Sequence, residues 1–183
     1  MGALHGITLL ARFRAEGFAA FTATTSGFMN SLAPLIGIAM VAGLRPLLSG
    51  SPRMLVMHLL TTVVALLAPA AVSHAIARMW GREAQWLRYA VAYNWCQLAV
   101  TLLSVLLILV FMVSGGQPES LIGAILGVLC YWLTLSWFML WRGLGLSRWR
   151  ATLALVLLNM ASGALILGPR LLAASDGFER FPG

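Results

Sequence analysis

The chain has 183 residues, 61% of them hydrophobic and 9% charged, with a mean hydropathy of +0.92. A soluble domain carries roughly 25% charged residues, and a chain this short has too much surface for its volume to hide so many apolar side chains in water; a soluble enzyme, a disordered tail and a disulfide-stapled secreted module are excluded, and an all-α polytopic membrane protein is implied. The net charge of +7 comes from twelve arginines and no lysine, set at the ends of apolar runs rather than on the solvated basic stripe of a nucleic-acid binder, so the lipid bilayer and not nucleic acid is the expected partner.

The first ten residues, MGALHGITLL, carry no Lys or Arg, and Arg12 and Arg14 then interrupt the run. That order does not suit a signal peptide, and Gly6 stands where a myristoylation pattern requires Ser or Thr. Over residues 1–21, Leu10, Phe13, Phe18 and Phe21 fall near one helical face with Arg12 and Glu16 on another. This spacing predicts an amphipathic helix lying at the membrane interface. Five charge-free runs follow: Gly17–Leu44, Met54–Ala77, Tyr89–Pro118, Ser120–Trp141 and Ala151–Pro169. A spanning helix needs roughly 20 apolar residues. With the polar stretch Thr22–Ser26 splitting the first run, five spans are expected at about 27–48, 54–79, 88–113, 120–142 and 149–171, forming a single membrane domain over 1–183.

The links are short. Arg45–Arg53 holds Pro46, Gly50 and Pro52, which are helix-ending residues. Ser114–Ser120 reads SGGQPES and forms a turn, and Ser147 in the link RGLGLSRWR is an expected N-cap for the last span. With a cytoplasmic N-terminus, eight arginines (12, 14, 78, 82, 88, 142, 148 and 150) lie inside and four (45, 53, 170 and 180) outside. The positive-inside rule therefore places Gly81 and Gly145 in the cytoplasm and Gly116 and Gly183 outside. Trp80, Trp86, Tyr89, Trp141 and Trp149 crowd the arginine-rich side as interfacial anchors, or as an aromatic-basic platform for a partner or for lipid headgroups.

Polar residues inside the spans mark the interior. His58, Thr62 and Ser73 share a face of the second span with Pro69, and His74 lies beside them. In the third span Asn94, Gln97, Thr101 and Ser104 recur at helical spacing, so one face must look into protein. Such a stripe acts either as interhelical glue or as the wall of a polar pathway. Gly123 and Gly127 in the fourth span have the spacing of close helix packing.

Catalytic readings fail on placement. His58 and His74 sit at opposite ends of one span and cannot ligate one haem, and Cys96 and Cys130 have no metal-ligand spacing. Ser162 lies about 18 Å below Arg150 and His74 about 6 Å from Arg78 by helical rise, so they cannot form a serine–histidine pair. No Asp or Glu lies within a span, and no nucleotide loop occurs. No catalytic residue, cofactor or metal is expected.

The stretch LRYAVAYNWCQ (Leu87–Gln97), the pair Trp137 and Trp141, and the link GLGLSRWRA resemble a group of small five-span bacterial inner-membrane proteins of uncharacterised function. In that group a tyrosine-asparagine-tryptophan signature recurs on the third helix. The span count is also similar to the layout of the Yip family of membrane proteins, whose soluble N-terminal region and signature motifs are absent here. The resemblance covers the chain from the second span onward and implies a bacterial plasma-membrane location without implying a mechanism. The expected role is a non-catalytic scaffold or accessory component that packs against membrane partners or forms a homo-oligomer. The alternative is a small-solute carrier or channel lined by the third-span stripe.

Overall fold

A computed structural model of the chain describes residues 2–48, 52–115 and 117–178. Every regular element among the described residues is a helix, and none is a strand. A short helix α1 (Ala3–Ala11) and a two-turn 3-10 segment (Ala15–Ala20) precede five long helices, α2 (Thr25–Leu48), α3 (Pro52–Met79), α4 (Glu83–Ser114), α5 (Pro118–Gly143) and α6 (Arg148–Phe178). Three stretches are long and apolar enough to cross a membrane, namely Leu55–Met79, Glu83–Ser114 and Glu119–Gly143, and Thr25–Val41 forms a shorter apolar stretch.

The helix ends follow local chemistry. Gly115, in the left-handed conformation at φ 64°, stops α4, and its N–H bonds the carbonyl of Phe111. Pro118 opens α5 at a position where a missing N–H costs nothing. Ser147 caps α6, its hydroxyl accepting from Arg150 N–H at 3.4 Å. Pro46 departs from expectation. Instead of ending α2 it lies within the helix, which is described as far as Leu48. Pro52 begins α3 rather than sitting in a link.

The N-terminal segment also departs from the single interfacial helix expected. Its chain turns at Phe13, the one non-glycine residue with positive φ (57°) among those described. The 3-10 segment then folds back on α1. A Cβ on Gly17 would stand 2.7 Å from the Gly6 carbonyl oxygen, so only glycine permits this approach. Leu10, Phe18 and Phe21 are buried as the hydrophobic pattern predicts, but by a hairpin rather than by one continuous face. The hairpin packs on α4 and α5, with Ile7 and Ala11 beside Cys96, Leu103 and Tyr131.

The long helices close a ring in the order α2, α3, α6, α5, α4 and back to α2, with α3 and α4 also touching across it. The N-termini of α2, α4 and α6 and the C-termini of α3 and α5 meet at one end, which carries Arg78, Arg82, Arg88, Arg142 and Arg148. The core lies in this arginine-rich half. Tyr89–Asn94 of α4 are all buried, as are Leu135, Met139 and Leu140 of α5 and Ala151 and Ala154 of α6. Beyond it no described residue of α4 past Leu98, or of α5 before Leu135, is buried. On α4, Leu106, Val110 and Val113 are 57%, 57% and 89% exposed, and on α5 Ile122 and Leu126 are exposed too.

Candidate functional site

The polar side chains of the arginine-rich half form ties between helices. Asn94 on α4 is 4% exposed, and its amide Nδ2 donates to Ser31 Oγ on α2 at 2.9 Å. The same hydroxyl donates to the Phe28 carbonyl one turn back at 2.7 Å. Trp86 Nε1 on α4 donates to Ser73 Oγ on α3 at 3.1 Å, and Ser73 donates to the Ala70 carbonyl at 3.0 Å. Trp137 Nε1 on α5 donates to Thr152 Oγ1 on α6 at 3.0 Å, and Thr152 donates to the Arg148 carbonyl at 3.1 Å.

Each tie has the same physics. A hydroxyl inside an apolar helix would lose its water partners, so it bonds its own backbone three or four residues back. Its remaining lone pair then accepts from an amide or indole N–H on the neighbouring helix. A fourth tie joins the hairpin to the bundle, where Tyr131 OH on α5 donates to the carbonyl of Ala11, the last residue of α1, at 2.9 Å. That bond satisfies one of the acceptors a helix C-terminus leaves open.

Aromatic rings fill the space between the ties. Phe13 meets Tyr131 and Phe138 edge-on at 6.1 and 5.5 Å between centroids. Tyr93 packs between Tyr89 and Trp132. Phe18 and Tyr89 press on Gly143, where an added Cβ would lie 2.8 Å from the phenylalanine ring and 3.2 Å from the tyrosine ring. The Tyr89 hydroxyl is buried without a hydrogen-bond partner among the described residues, as are Ser136 Oγ, Ser162 Oγ and His58 Nε2.

The residues expected to share a polar interior lie in separate places. Asn94 faces α2, whereas Ser104 bonds its own Val100 carbonyl and lines a groove between α4 and α5. These two positions differ by about 80° around the helix at 3.6 residues per turn, so the stripe turns from one neighbour towards another. Gln97 and Thr101 between them are half-buried. Thr62 lines a groove between α2 and α3, and His58 is half-buried further along α3. His74 is exposed at the arginine-rich end, its ring edge-on to Trp86 at 4.5 Å. Gly123 and Gly127 lie on an exposed face of α5, with open space where a Cβ would stand. Gly116 and Gly183 lie outside the described residues.

Sequence reasoning missed Ser31, Trp86, Trp137 and Thr152 as members of ties. The available signal was donor demand, since a buried indole or amide N–H in an apolar helix requires an acceptor. Among the described residues no group of three His, Cys, Asp or Glu side chains is gathered as for a metal. No family model, no curated protein and no solved structure matches the chain.

Proposed function

We propose that the chain is a five-span integral protein of a bacterial inner membrane, with its N-terminus in the cytoplasm. It serves as a non-catalytic scaffold or accessory subunit that packs against membrane partners or further copies of itself. The observation that carries this reading is the use of the polar groups. In the arginine-rich half they join helix to helix, Asn94 to Ser31, Trp86 to Ser73 and Trp137 to Thr152, and Tyr131 holds the N-terminal hairpin. Such bonds fix helices relative to one another, each contributing roughly 0.6 kcal/mol on average. The far half leaves large apolar faces of α4 and α5 uncovered, which suits contact with lipid or with other membrane helices.

The placement of α1 supports an inserted N-terminal hairpin rather than one lying flat on the membrane. Ile7 and Ala11 stand level with Cys96–Leu103, about 12–22 Å along α4 from Arg88 by helical rise.

Reconstitution into vesicles tests the role. The parent and Asn94→Leu should show the same background leak of small solutes, with the variant less stable in detergent. Solute flux through the parent that Asn94→Leu or Gln97→Leu abolishes would overturn the scaffold reading in favour of a carrier.

A further inference from the structure

Two clefts open at the arginine-rich end, and both are lined by Ala15 and Arg142. One, of about 320 Å³, lies between the 3-10 segment, the first turns of α4 and the end of α5, with Arg88 and Gln85 in its wall. The other, of about 520 Å³, runs along α5 past Trp141, Trp137 and Thr134 and is closed on the hairpin side by Phe13, Arg14 and Glu16. Arg14 of the N-terminal hairpin, Arg88 of α4 and Arg142 of α5 therefore line two adjoining clefts that share Ala15 and Arg142, with Glu16 in the wall of the larger.

Among the described residues these guanidinium groups have no acidic partner within ion-pair distance. Among the described residues the ion pair is Arg78 with Glu83, at 3.7 Å, outside both clefts. Arg142 is held in place by stacking, with its guanidinium carbon 4.1 Å from the Trp141 ring centroid. A stacked arginine keeps its planar donor fork free for an anion. Arg88 and Arg142 each directly border a charge-free run, Tyr89–Pro118 and Ser120–Trp141. That is the depth at which a bilayer places its phosphates, and basic pockets between helices at this level bind anionic headgroups. The larger cleft adds an aromatic wall continuing into the apolar part of α5, where an acyl chain can lie.

We propose that this double cleft binds one anionic phospholipid. Arg88 and Arg142 hold its phosphate, Arg14 flanks it, and the Trp137–Trp141 wall of α5 receives an acyl chain. The site is independent of whether the protein is a scaffold or a carrier. Its phosphate chemistry is shared with free phosphate, but the aromatic wall selects the lipid.

The test uses the full chain purified in neutral detergent, titrated separately with phosphatidylglycerol, phosphatidylcholine and inorganic phosphate. Bound lipid is read by native mass spectrometry and stabilisation by thermal unfolding. Phosphatidylglycerol should bind in preference to phosphatidylcholine. Each of Arg88→Gln and Arg142→Gln should weaken it about fivefold, as expected for one charge at a membrane surface. Arg150→Gln, at the same end but outside the clefts, should leave it unchanged. Glu16→Gln, which removes the carboxylate, should tighten it. All four side chains are exposed, so the variants should fold. Equal binding of the two lipids, an unchanged preference in Arg88→Gln and Arg142→Gln, or the same loss in Arg150→Gln would overturn the proposal. So would stabilisation by inorganic phosphate equal to that by phosphatidylglycerol, which would assign the site to the free ion.

Discussion

The tie between α2 and α4 makes an asymmetric prediction. Asn94→Leu removes the donor, yet Ser31 Oγ still bonds the Phe28 carbonyl, so no buried group on α2 is stranded. The loss is one interhelical bond, roughly 0.6 kcal/mol and at most about 1.7 kcal/mol. Ser31→Ala removes the acceptor and leaves the Asn94 amide, only 4% exposed, without that partner. An unsatisfied buried donor costs about 1–3 kcal/mol. Ser31→Ala should therefore be the more damaging change, although it deletes the smaller side chain. The double variant Ser31→Ala/Asn94→Leu should be no worse than Ser31→Ala alone, because the stranded amide has gone with its partner. Equilibrium unfolding in mixed micelles with increasing denaturing detergent measures all three. If Asn94→Leu proves the costlier single change, or if the two effects simply add, the tie does not operate as described.

Other expectations follow from packing at single positions. Tyr89→Phe removes a buried hydroxyl without a partner, so thermal stability should hold or rise, and a fall of more than about 1 kcal/mol would contradict that environment. Gly17→Ala would drive a Cβ to 2.7 Å from the Gly6 carbonyl oxygen and 3.0 Å from the Leu10 amide nitrogen. Backbone cannot yield as a side chain does, so the hairpin should open, with faster tryptic cleavage at Arg12 and Arg14 as the readout. Trp137→Phe keeps the ring but loses the indole donor to Thr152, and stability should drop by about 0.6–1.7 kcal/mol. For orientation, cysteines placed at exposed Gln85 and Ser147 in a Cys130→Ala background should resist an impermeant maleimide applied from outside, while one at exposed Gln117 should react. The opposite pattern reverses the topology.

The helix boundaries were legible because charge and turn chemistry write them directly. Gly115, Pro118 and Ser147 mark ends that the structure keeps to within a few residues, whereas α6 runs on through Pro169 and Arg170 to Phe178. Asn94 was legible as a buried group because an amide in an apolar helix demands a partner. Its partner was not, since one serine in an apolar run bonds its own backbone equally well and reveals no direction. Trp86 and Trp137 were hidden differently. Indoles near arginines suit the membrane interface, and nothing in spacing says that their N–H groups reach Ser73 and Thr152 on neighbouring helices. The fold-back at Gly17 rests on a close backbone approach, which leaves no periodic signal. The exposure of the far half was equally silent, because leucine and valine are as much at home against lipid as against protein.

The ties differ greatly in the length of chain they span, and this sets an order of assembly. Trp86 reaches back 13 residues to Ser73, and Trp137 waits for Thr152 only 15 residues ahead. Each of these closes within one helical hairpin. Asn94 meets Ser31 across 63 residues, and Tyr131 meets Ala11 across 120. At roughly 5–20 residues per second, synthesis separates Ala11 from Tyr131 by about 6–24 s. Until Cys96–Leu103 of α4 are made, α1 has its own 3-10 segment to lie against, with Gly6 and Gly17 in contact. The N-terminal hairpin is thus seated only once α4 and α5 have followed it, and α6, packed on α3 and α5, closes the bundle after it.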